Sequence, residues 1–271
     1  MYFSHYFMGD FAMYDFLGYL TLALIPAFIL LDLVHRHRHY ETARFWRLRA
    51  TAVTVGIFYF TGWIAGLWGQ LFEGVSLFDL SGLGAIGGAV VGVLVYEFFH
   101  YWYHRAAHEW DWLWRAAHQM HHSAESLDAF GAFYLHPLDA ALFTSISSLV
   151  FFPLLGVTTE AGVIGALFLT FNAMFQHANI RTPQWLGYFI QRPEMHAVHH
   201  GRRIHRLNYA DLPLWDMVFG TFVNPESAAR LKAGFYTGAS ARIGDMLIGR
   251  DVSRPPVAET AMGAPAAEAL R

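Results

Sequence analysis

The sequence predicts an all-α integral membrane protein with about four to five transmembrane helices, the last two forming a hairpin. A cytoplasmic helical cap is expected to hold a histidine-rich dimetal site. The 271 residues are 55% apolar, 17% aromatic and only 14% charged, which is unusual for a soluble domain. Several apolar runs approach the roughly 17–25 residues that a helix needs to cross a bilayer. Ten of the 16 histidines lie between positions 104 and 200, beside these runs.

Five segments are predicted to enter the membrane as helices. Residues 16–34, 50–72 and 80–96 form the first three, and Asp32 is the one charged residue among them. Residues 140–155 and 161–176 are shorter, and the "GVTTE" between them is typical of a tight turn. We therefore expect these two segments to form a hairpin that either spans the bilayer or enters it deeply.

The start of the chain is interpreted as a retained first span, because it lacks the basic region of a cleavable signal and its apolar stretch is too long for one. N-terminal transmembrane helices are expected at 1–75, a catalytic domain at 76–225 and a cytoplasmic extension at 226–271. The extension is expected to be partly disordered, since the chain is rich in Pro and Ala from position 253 onward.

Basic residues predict the orientation, because short cytoplasmic loops retain Lys and Arg. The first loop contains Arg36, Arg38, Arg44, Arg47 and Arg49, whereas residues 69–82 and the "GVTTE" turn contain no basic residue. An N-terminus outside the membrane places all 18 Lys and Arg on the cytoplasmic side. The same orientation brings the ten histidines to that face, and a bacterial inner membrane is the expected location.

The absence of cysteine limits the chemistry of any cofactor site. Disulfides, thiolate metal sites and cysteine-held iron–sulfur clusters are excluded. A metal ion would have to be bound by His, Asp, Glu or backbone oxygen. Nothing in the composition indicates nucleic-acid binding.

Histidine recurs in three motifs with helical spacing: "HRAAH" at 104–108, "HQMHH" at 118–122 and "HAVHH" at 196–200. Residues three and four apart share one face of a helix, so each motif presents several imidazoles together. This pattern predicts a site for two metal ions. An imidazole that binds a metal through one nitrogen is usually oriented through the other. Candidate orienting partners are Glu97, Asp111, Glu194 and Asp216, and His100 extends the face of His104.

Five other histidines lie outside the three motifs, and we interpret them as isolated residues near the membrane surface, where histidine is common without a metal. They are His5, His35, His37, His39 and His205.

These motifs resemble the histidine boxes of the membrane-bound fatty acid hydroxylase/sterol desaturase superfamily, which are di-iron integral membrane oxygenases. Further landmarks are "YLHP", "FQHANIRTP" and "NYADLPLWDMVFGTF", and the resemblance covers about residues 96–223. It implies two non-haem iron ions. The implied ligands are His104, His108, His118, His121, His122, His177, His196, His199 and His200, with His136 as a further candidate. Two departures, His100 where relatives have Tyr and Glu97 where they have Asp, affect the surroundings of the boxes.

The resemblance also implies a reaction class: O2 and external electrons are used to hydroxylate or desaturate a C–H bond of a lipid. A sterol, a fatty acyl lipid and a carotenoid all fit this expectation. The chain has no dinucleotide-binding or haem-binding motif, so a separate reductase, ferredoxin or cytochrome-type donor is expected. Arg202, Arg203 and Arg206 are candidates for binding a lipid headgroup or docking this donor, and general attraction to anionic lipid explains them equally well.

Three alternatives remain at this level. Desaturation of the sterol C-5 type could replace hydroxylation. A haem-binding electron carrier is less favoured, because its histidines should face each other inside the spans. A zinc hydrolase remains compatible with the motifs, since Zn²⁺ also binds His and zinc could be present in purified protein.

Overall fold

The computed structural model describes the backbone of residues 4–255 and the side chains of residues 15–255. The end of the extension for which disorder was predicted, from 256 onward, lies outside the described residues. The main helices in chain order are α1 (Ser4–Val34), α2 (Trp46–Leu71), α3 (Gly84–Glu109), α4 (Asp111–Leu113), α5 (Gln119–His122), α6 (Pro137–Leu149), α7 (Thr159–His177), α8 (Pro193–His199), α9 (Leu214–Phe219) and α10 (Ile243–Leu247). Across these residues β-structure is limited to one antiparallel bridge, between Gly201 and Ala233. The predicted all-α fold class is confirmed.

Four segments are long and apolar enough to cross a membrane: Asp15–Val34, Trp46–Leu71, Ser81–Glu109 and Pro137–Leu154. Their outer faces expose large apolar side chains, including Phe16, Tyr59 and Ile86. Such surface is stable in lipid and unfavourable in water. The chain is therefore a membrane protein.

The two segments of the predicted hairpin correspond to α6 and α7, which pack mainly on other helices, and α7 is not among the four segments long and apolar enough to cross a membrane. A π-helical turn, Val150–Leu154, continues α6, and the Oγ1 of Thr158 caps α7 by accepting from the backbone N–H of Ala161 (3.3 Å). Helix α7 packs against α1 and α3, while α2 packs against α6. The membrane part is thus a bundle in which the hairpin contacts every other long helix.

Phe151 occupies a narrow space between α3 and α7 that two glycines create. A Cβ atom built on Gly92 or on Gly165 would lie 2.5 Å from the Phe151 ring, inside van der Waals contact. The Phe151 side chain is almost fully buried among Ala89, Val93 and their neighbours. Small residues at helix crossings allow this close approach in membrane bundles.

We expect Gly92→Ala and Gly165→Ala each to lower the free energy of unfolding by about 1–3 kcal/mol, because the ring has to move. Thermal unfolding in detergent measures the effect. Phe151→Leu, combined with either substitution, should restore part of the loss. Gly66→Ala is the matched control: nothing lies within 4 Å of its added Cβ. Equal melting temperatures for Gly92→Ala and Gly66→Ala would contradict this packing.

One buried carboxylate attaches the cap, the shorter helices and loops that surround the histidine motifs, to the membrane bundle. Asp32, the one charged residue of the predicted run 16–34, accepts hydrogen bonds from the backbone N–H of Ala129 (2.6 Å) and of Asn179 (2.8 Å). Both donors lie in loops that border the histidine motifs. The end of α1 therefore fixes two cap loops relative to the bundle.

The described part of the C-terminal extension packs on the cap. The carboxylate of Glu125 accepts from the backbone N–H groups of Gly238 (2.8 Å) and Ser240 (3.1 Å), and Gln119 accepts from the N–H of Val252 (3.1 Å). Apolar residues of both parts share one cluster, which contains Trp46, Met120, Tyr134, Phe235, Met246 and Val252. Residues 226–255 thus cover the cap beside α5.

Candidate metal centre

The nine candidate ligands, from the three motifs and His177, come from four helical ends that meet at one end of the bundle. The last turns of α3 supply His104 and His108, and α7 ends at His177. A π-helical turn, Trp114–His118, leads into α5, and this rare geometry is frequent at functional sites. Helix α8 and the residue after it supply His196, His199 and His200. All of these side chains are buried except that of His108, which is partly exposed.

The nine imidazoles fall into two groups, in each of which the candidate ligand atoms lie within 4.8 Å of one another. The five-histidine group contains His104, His108, His118, His122 and His199. The four-histidine group contains His121, His177, His196 and His200. A site with two such groups can bind two metal ions.

The two similar motifs divide between the groups in opposite ways. From "HQMHH" the outer pair, His118 and His122, joins the five-histidine group, and His121 joins the other. From "HAVHH" the outer pair joins the four-histidine group, and His199 crosses to the five-histidine group. Residues four apart point in nearly the same direction on a helix, and the residue three after the first points slightly aside. Each motif therefore contributes two ligand candidates to one group and one to its neighbour.

The distances between ring nitrogens fit metal binding. The Nε2 atom of His118 lies 2.9 Å from Nε2 of His104 and 3.1 Å from Nε2 of His122. In the other group, Nε2 of His196 lies 2.9 Å from Nε2 of His177. Two nitrogens that bind one ion at right angles, at the usual metal–imidazole distance of about 2.0–2.1 Å, lie about 3 Å apart.

Three further Nε2 atoms support the same conclusion. Those of His108, His199 and His200 are buried and have no hydrogen-bond partner among the described residues. A buried polar atom without a partner costs about 1–3 kcal/mol. An ion bound by these nitrogens would remove that cost, so the residues present fit a metal.

Hydrogen bonds at Nδ1 orient several of the rings. Nδ1 of His104 lies 2.6 Å from the carbonyl oxygen of Tyr209, and Nδ1 of His199 lies 2.7 Å from that of Leu207. Nδ1 of His118 lies 2.8 Å from a carboxylate oxygen of Asp139. A ring that donates from Nδ1 keeps Nε2 free of a proton and therefore able to bind a metal.

The surroundings also keep the imidazoles neutral. Burial, followed by the effect of neighbouring histidines, lowers the pKa values of His121, His122, His196, His199 and His200 well below the ordinary range. Metal ions compete with protons for these nitrogens, so a depressed pKa favours metal binding at neutral pH.

The residues expected to orient the ligands occupy several different positions. Asp216 accepts from the backbone N–H groups of Tyr209 and Ala210 (both 2.8 Å), and it thereby fixes the segment whose carbonyl binds His104. Glu97 accepts from the backbone N–H groups of Asp211 (2.9 Å) and Leu212 (3.1 Å). Both residues therefore support the loop that follows "HAVHH".

Three other residues predicted to bind a metal or to orient its ligands have different partners. Glu194 binds the backbone N–H and the hydroxyl of Thr182 (2.8 and 2.7 Å). Asp111 is exposed and forms a surface ion pair with Arg115, because it begins α4 on the outer side of the cap. His136 lies outside both groups, and its Nδ1 accepts from the N–H of Leu138 (3.1 Å) to cap α6.

Three residues beside the groups were not anticipated from the sequence. Asp139 binds His118, as described above, and the side-chain amide of Gln191 lies 2.7 Å from Nδ1 of His196. His205, interpreted above as an isolated surface histidine, has its Nδ1 atom 3.1 Å from Nδ1 of His122. Burial lowers the pKa of His205 to about 4. Its turn back toward α5 depends on positive φ angles at Arg203 and His205, which the sequence does not reveal.

The candidate docking arginines follow α8 directly. Arg203 and Arg206 are exposed, while the guanidinium of Arg202 lies 3.4 Å from the carbonyl of Ala233. Two positive charges thus remain on the surface beside the metal centre.

A cavity of about 490 Å³ connects the membrane bundle with the metal centre. Its walls come from α1, α2, α3, α6, α7 and the segment before α6 and are mainly apolar, with Ile57, Phe58, Phe133, Phe143, Phe151 and Leu169 among them. At the cap it is bounded by His104, His118, His121, His177 and His196, from both groups. A flexible apolar molecule in this cavity would therefore reach the metal centre from inside the membrane bundle.

Comparisons with known proteins give a consistent result. Residues 89–221 match the fatty acid hydroxylase family. The chain is 35% identical over 133 residues to the alkylglycerol monooxygenase of Homo sapiens, covering 46% of this chain and 28% of that protein. It is 31% identical over 159 residues to the ornithine lipid hydroxylase of Rhizobium tropici, covering 56% and 46%.

A third relative, a very-long-chain aldehyde decarbonylase of Oryza sativa subsp. indica, is 28% identical over 154 residues, covering 54% of this chain and 58% of that protein. The chain thus spans between about a quarter and three fifths of the length of these relatives. No solved structure matches it significantly.

Proposed function

Because this chain belongs to the membrane-bound fatty acid hydroxylase/sterol desaturase superfamily, we propose that it is a non-haem di-iron oxygenase that hydroxylates a lipid. The observation that carries the proposal is the joint geometry of site and cavity. Two groups of imidazoles lie at the cap end of an apolar cavity that extends into the membrane bundle.

The five-histidine and four-histidine groups would each hold one iron ion. Bound iron supplies the reduction of O2 and the oxidation of an unactivated C–H bond, which amino-acid side chains cannot perform. Asp139 and the carbonyls of Leu207 and Tyr209 hold the ligand rings in the tautomer that binds metal. The apolar walls exclude water and hold the substrate chain beside the histidines.

A lipid with a long alkyl chain is the proposed substrate, in preference to a sterol or a carotenoid. The cavity lies between helices and is bounded by side chains such as Ile57, Phe133 and Leu169, which suits a narrow flexible chain. Hydroxylation is preferred over desaturation because two of the relatives are named a monooxygenase and a hydroxylase of lipids.

We also propose an orientation and an electron source. The five arginines of the first loop favour an N-terminus outside and a metal centre at the cytoplasmic face. The proposed location is a bacterial inner membrane. Electrons would come from a separate reductase, ferredoxin or cytochrome-type protein. The exposed Arg203 and Arg206 would attract an acidic donor or a lipid headgroup, since both lie beside the metal centre.

The test compares lipid extracts of a host that expresses the chain with extracts of a host that expresses His199→Ala. We expect a lipid that gains one oxygen atom, labelled when the cells are grown in isotopically labelled O2, in the first host only. A loss of two hydrogens instead would establish the desaturase alternative. Metal analysis of gently purified protein should give two iron ions per chain. Two zinc ions with turnover independent of O2, or an intense haem spectrum without non-haem iron, would overturn the proposal.

A further inference from the structure

A third cluster of potential ligands lies beside the two histidine groups. Glu97, His100 and Asp211 are all buried, and their candidate ligand atoms lie within 4.8 Å of one another. Nδ1 of His100 lies 3.7 Å from Oε1 of Glu97 and 3.9 Å from Oδ2 of Asp211. The ring of His100 stacks on that of His104 at 5.5 Å, so the cluster borders the five-histidine group.

The other oxygens of the two carboxylates are already satisfied. Oε2 of Glu97 accepts from two backbone N–H groups, and Oδ1 of Asp211 accepts from the amide of Gln176 (2.8 Å). In contrast, Oε1 of Glu97 and Nδ1 of His100 are buried without a hydrogen-bond partner. These unpartnered atoms point into the space that they share with Oδ2 of Asp211.

The charge of this cluster is unbalanced. Among the residues that the structure describes, His100 is the one basic group paired with either carboxylate. With both carboxyl groups ionised, the cluster would carry a charge of −2 beside a neutral imidazole and −1 beside a protonated one. Burying uncompensated carboxylates is costly, so a cation in the shared space would stabilise the cluster.

The distances favour a metal ion over a proton. A charged N–H···O hydrogen bond is about 2.7–2.9 Å long, clearly shorter than the separations of 3.7 and 3.9 Å. Ligand atoms about 2.1–2.2 Å from one ion lie about 3.0 Å apart at right angles and about 3.7 Å apart at roughly 120°. The three side chains are thus spaced like ligands of one ion, and they leave its other coordination positions open.

We propose that Glu97, His100 and Asp211 bind a third divalent cation, separate from the ions of the two histidine groups. Two carboxylates and one imidazole form a harder donor set than histidine alone, which suits Mn²⁺ or Fe²⁺. His100 and Asp211 line the cavity, so the remaining coordination positions of the ion would face it. This cation site goes beyond the proposed di-iron function and does not depend on it.

The test titrates iron-loaded protein with Mn²⁺ and measures unbound Mn²⁺ by electron paramagnetic resonance. The wild-type chain should bind one Mn²⁺. Asp211→Asn and Glu97→Gln should each weaken this binding at least tenfold, because each replaces an ionised oxygen by a neutral amide of the same size. Asp111→Asn removes an exposed carboxylate remote from the cluster and is the control; it should leave the affinity unchanged.

The iron content of the same samples separates this proposal from the di-iron function. Two iron ions per chain with no tightly bound Mn²⁺ would refute the third site alone, as would Mn²⁺ binding that neither substitution weakens. Pulsed resonance spectra of the wild-type chain provide a check that does not depend on any variant. Bound Mn²⁺ should show coupling to one imidazole nitrogen; coupling to several would place it in a histidine group and overturn the assignment.

Discussion

Replacing His121 by alanine is expected to abolish O2-dependent turnover and to remove one of the two iron ions. His121 is one of only four histidines in its group, and its substitution leaves three. Loss of a residue that merely orients a metal ligand already costs about 10–100-fold in affinity or activity. Removing a ligand should therefore lower turnover by more than about 100-fold. The measurement is iron per chain, together with O2-dependent oxidation of the lipid.

His199→Ala should also abolish turnover, but with a different effect on metal content. Four histidines remain in its group, enough to retain an ion with weakened affinity. Expression and membrane insertion should stay near normal for both variants, because the helices that cross the bilayer are unchanged. His37→Ala changes an exposed side chain and is the control. Near-normal activity in either ligand variant would show that its assignment is wrong.

Much of the fold follows from the sequence because transmembrane helices depend on local composition. The apolar run predicted at 16–34 lies within α1, and the run predicted at 50–72 ends one residue beyond α2. The third helix differs more: α3 continues without interruption from the apolar run through Tyr96 to Glu109, and so carries His104 and His108. The boundary at Tyr96 marks a change of composition, which does not end a helix.

The histidine motifs could be recognised because their spacing is a property of single helices. Which group each imidazole joins is a different matter, since it depends on how α3, α5, α7 and α8 are rotated toward one another. The spacing separates one residue of each motif from the outer pair, but which group the pair joins and which group His121 or His199 joins results from that rotation. Nothing in either pentapeptide encodes it.

The residues that orient the ligands were the least predictable. Partners such as the carbonyls of Leu207 and Tyr209 belong to the backbone and leave no mark in the sequence. Asp111 has a suitable carboxylate close to the motifs along the chain, yet it faces outward. Asp139, 21 residues from His118, reaches it because α6 returns beside the π-helical turn. Proximity along the chain was therefore a poor guide to contact.

Asp139→Asn should weaken metal binding in the five-histidine group and lower turnover, each by about 10–100-fold. Asp139 is fully buried, and its Oδ2 atom lies 2.8 Å from Nδ1 of His118. The carboxylate accepts the Nδ1 proton and leaves Nε2 of His118 free for metal. An amide can donate instead, and it would then favour the tautomer with its proton on Nε2, which cannot bind a metal through that atom. Competition with an iron chelator measures the affinity of each group.

Tyr103→Phe is the matched control, because the Tyr103 hydroxyl donates to the other oxygen of the same carboxylate. Its removal leaves the Asp139 carboxyl group beside His118, so we expect metal affinity to change by no more than a few-fold. The four-histidine group should keep its ion in both variants, since Asp139 bonds to His118 of the other group. If Asp139→Asn bound iron as tightly as Tyr103→Phe, the carboxylate would not be controlling the tautomer of His118. If both variants lost both ions, the effect would instead be a general loss of structure around α6.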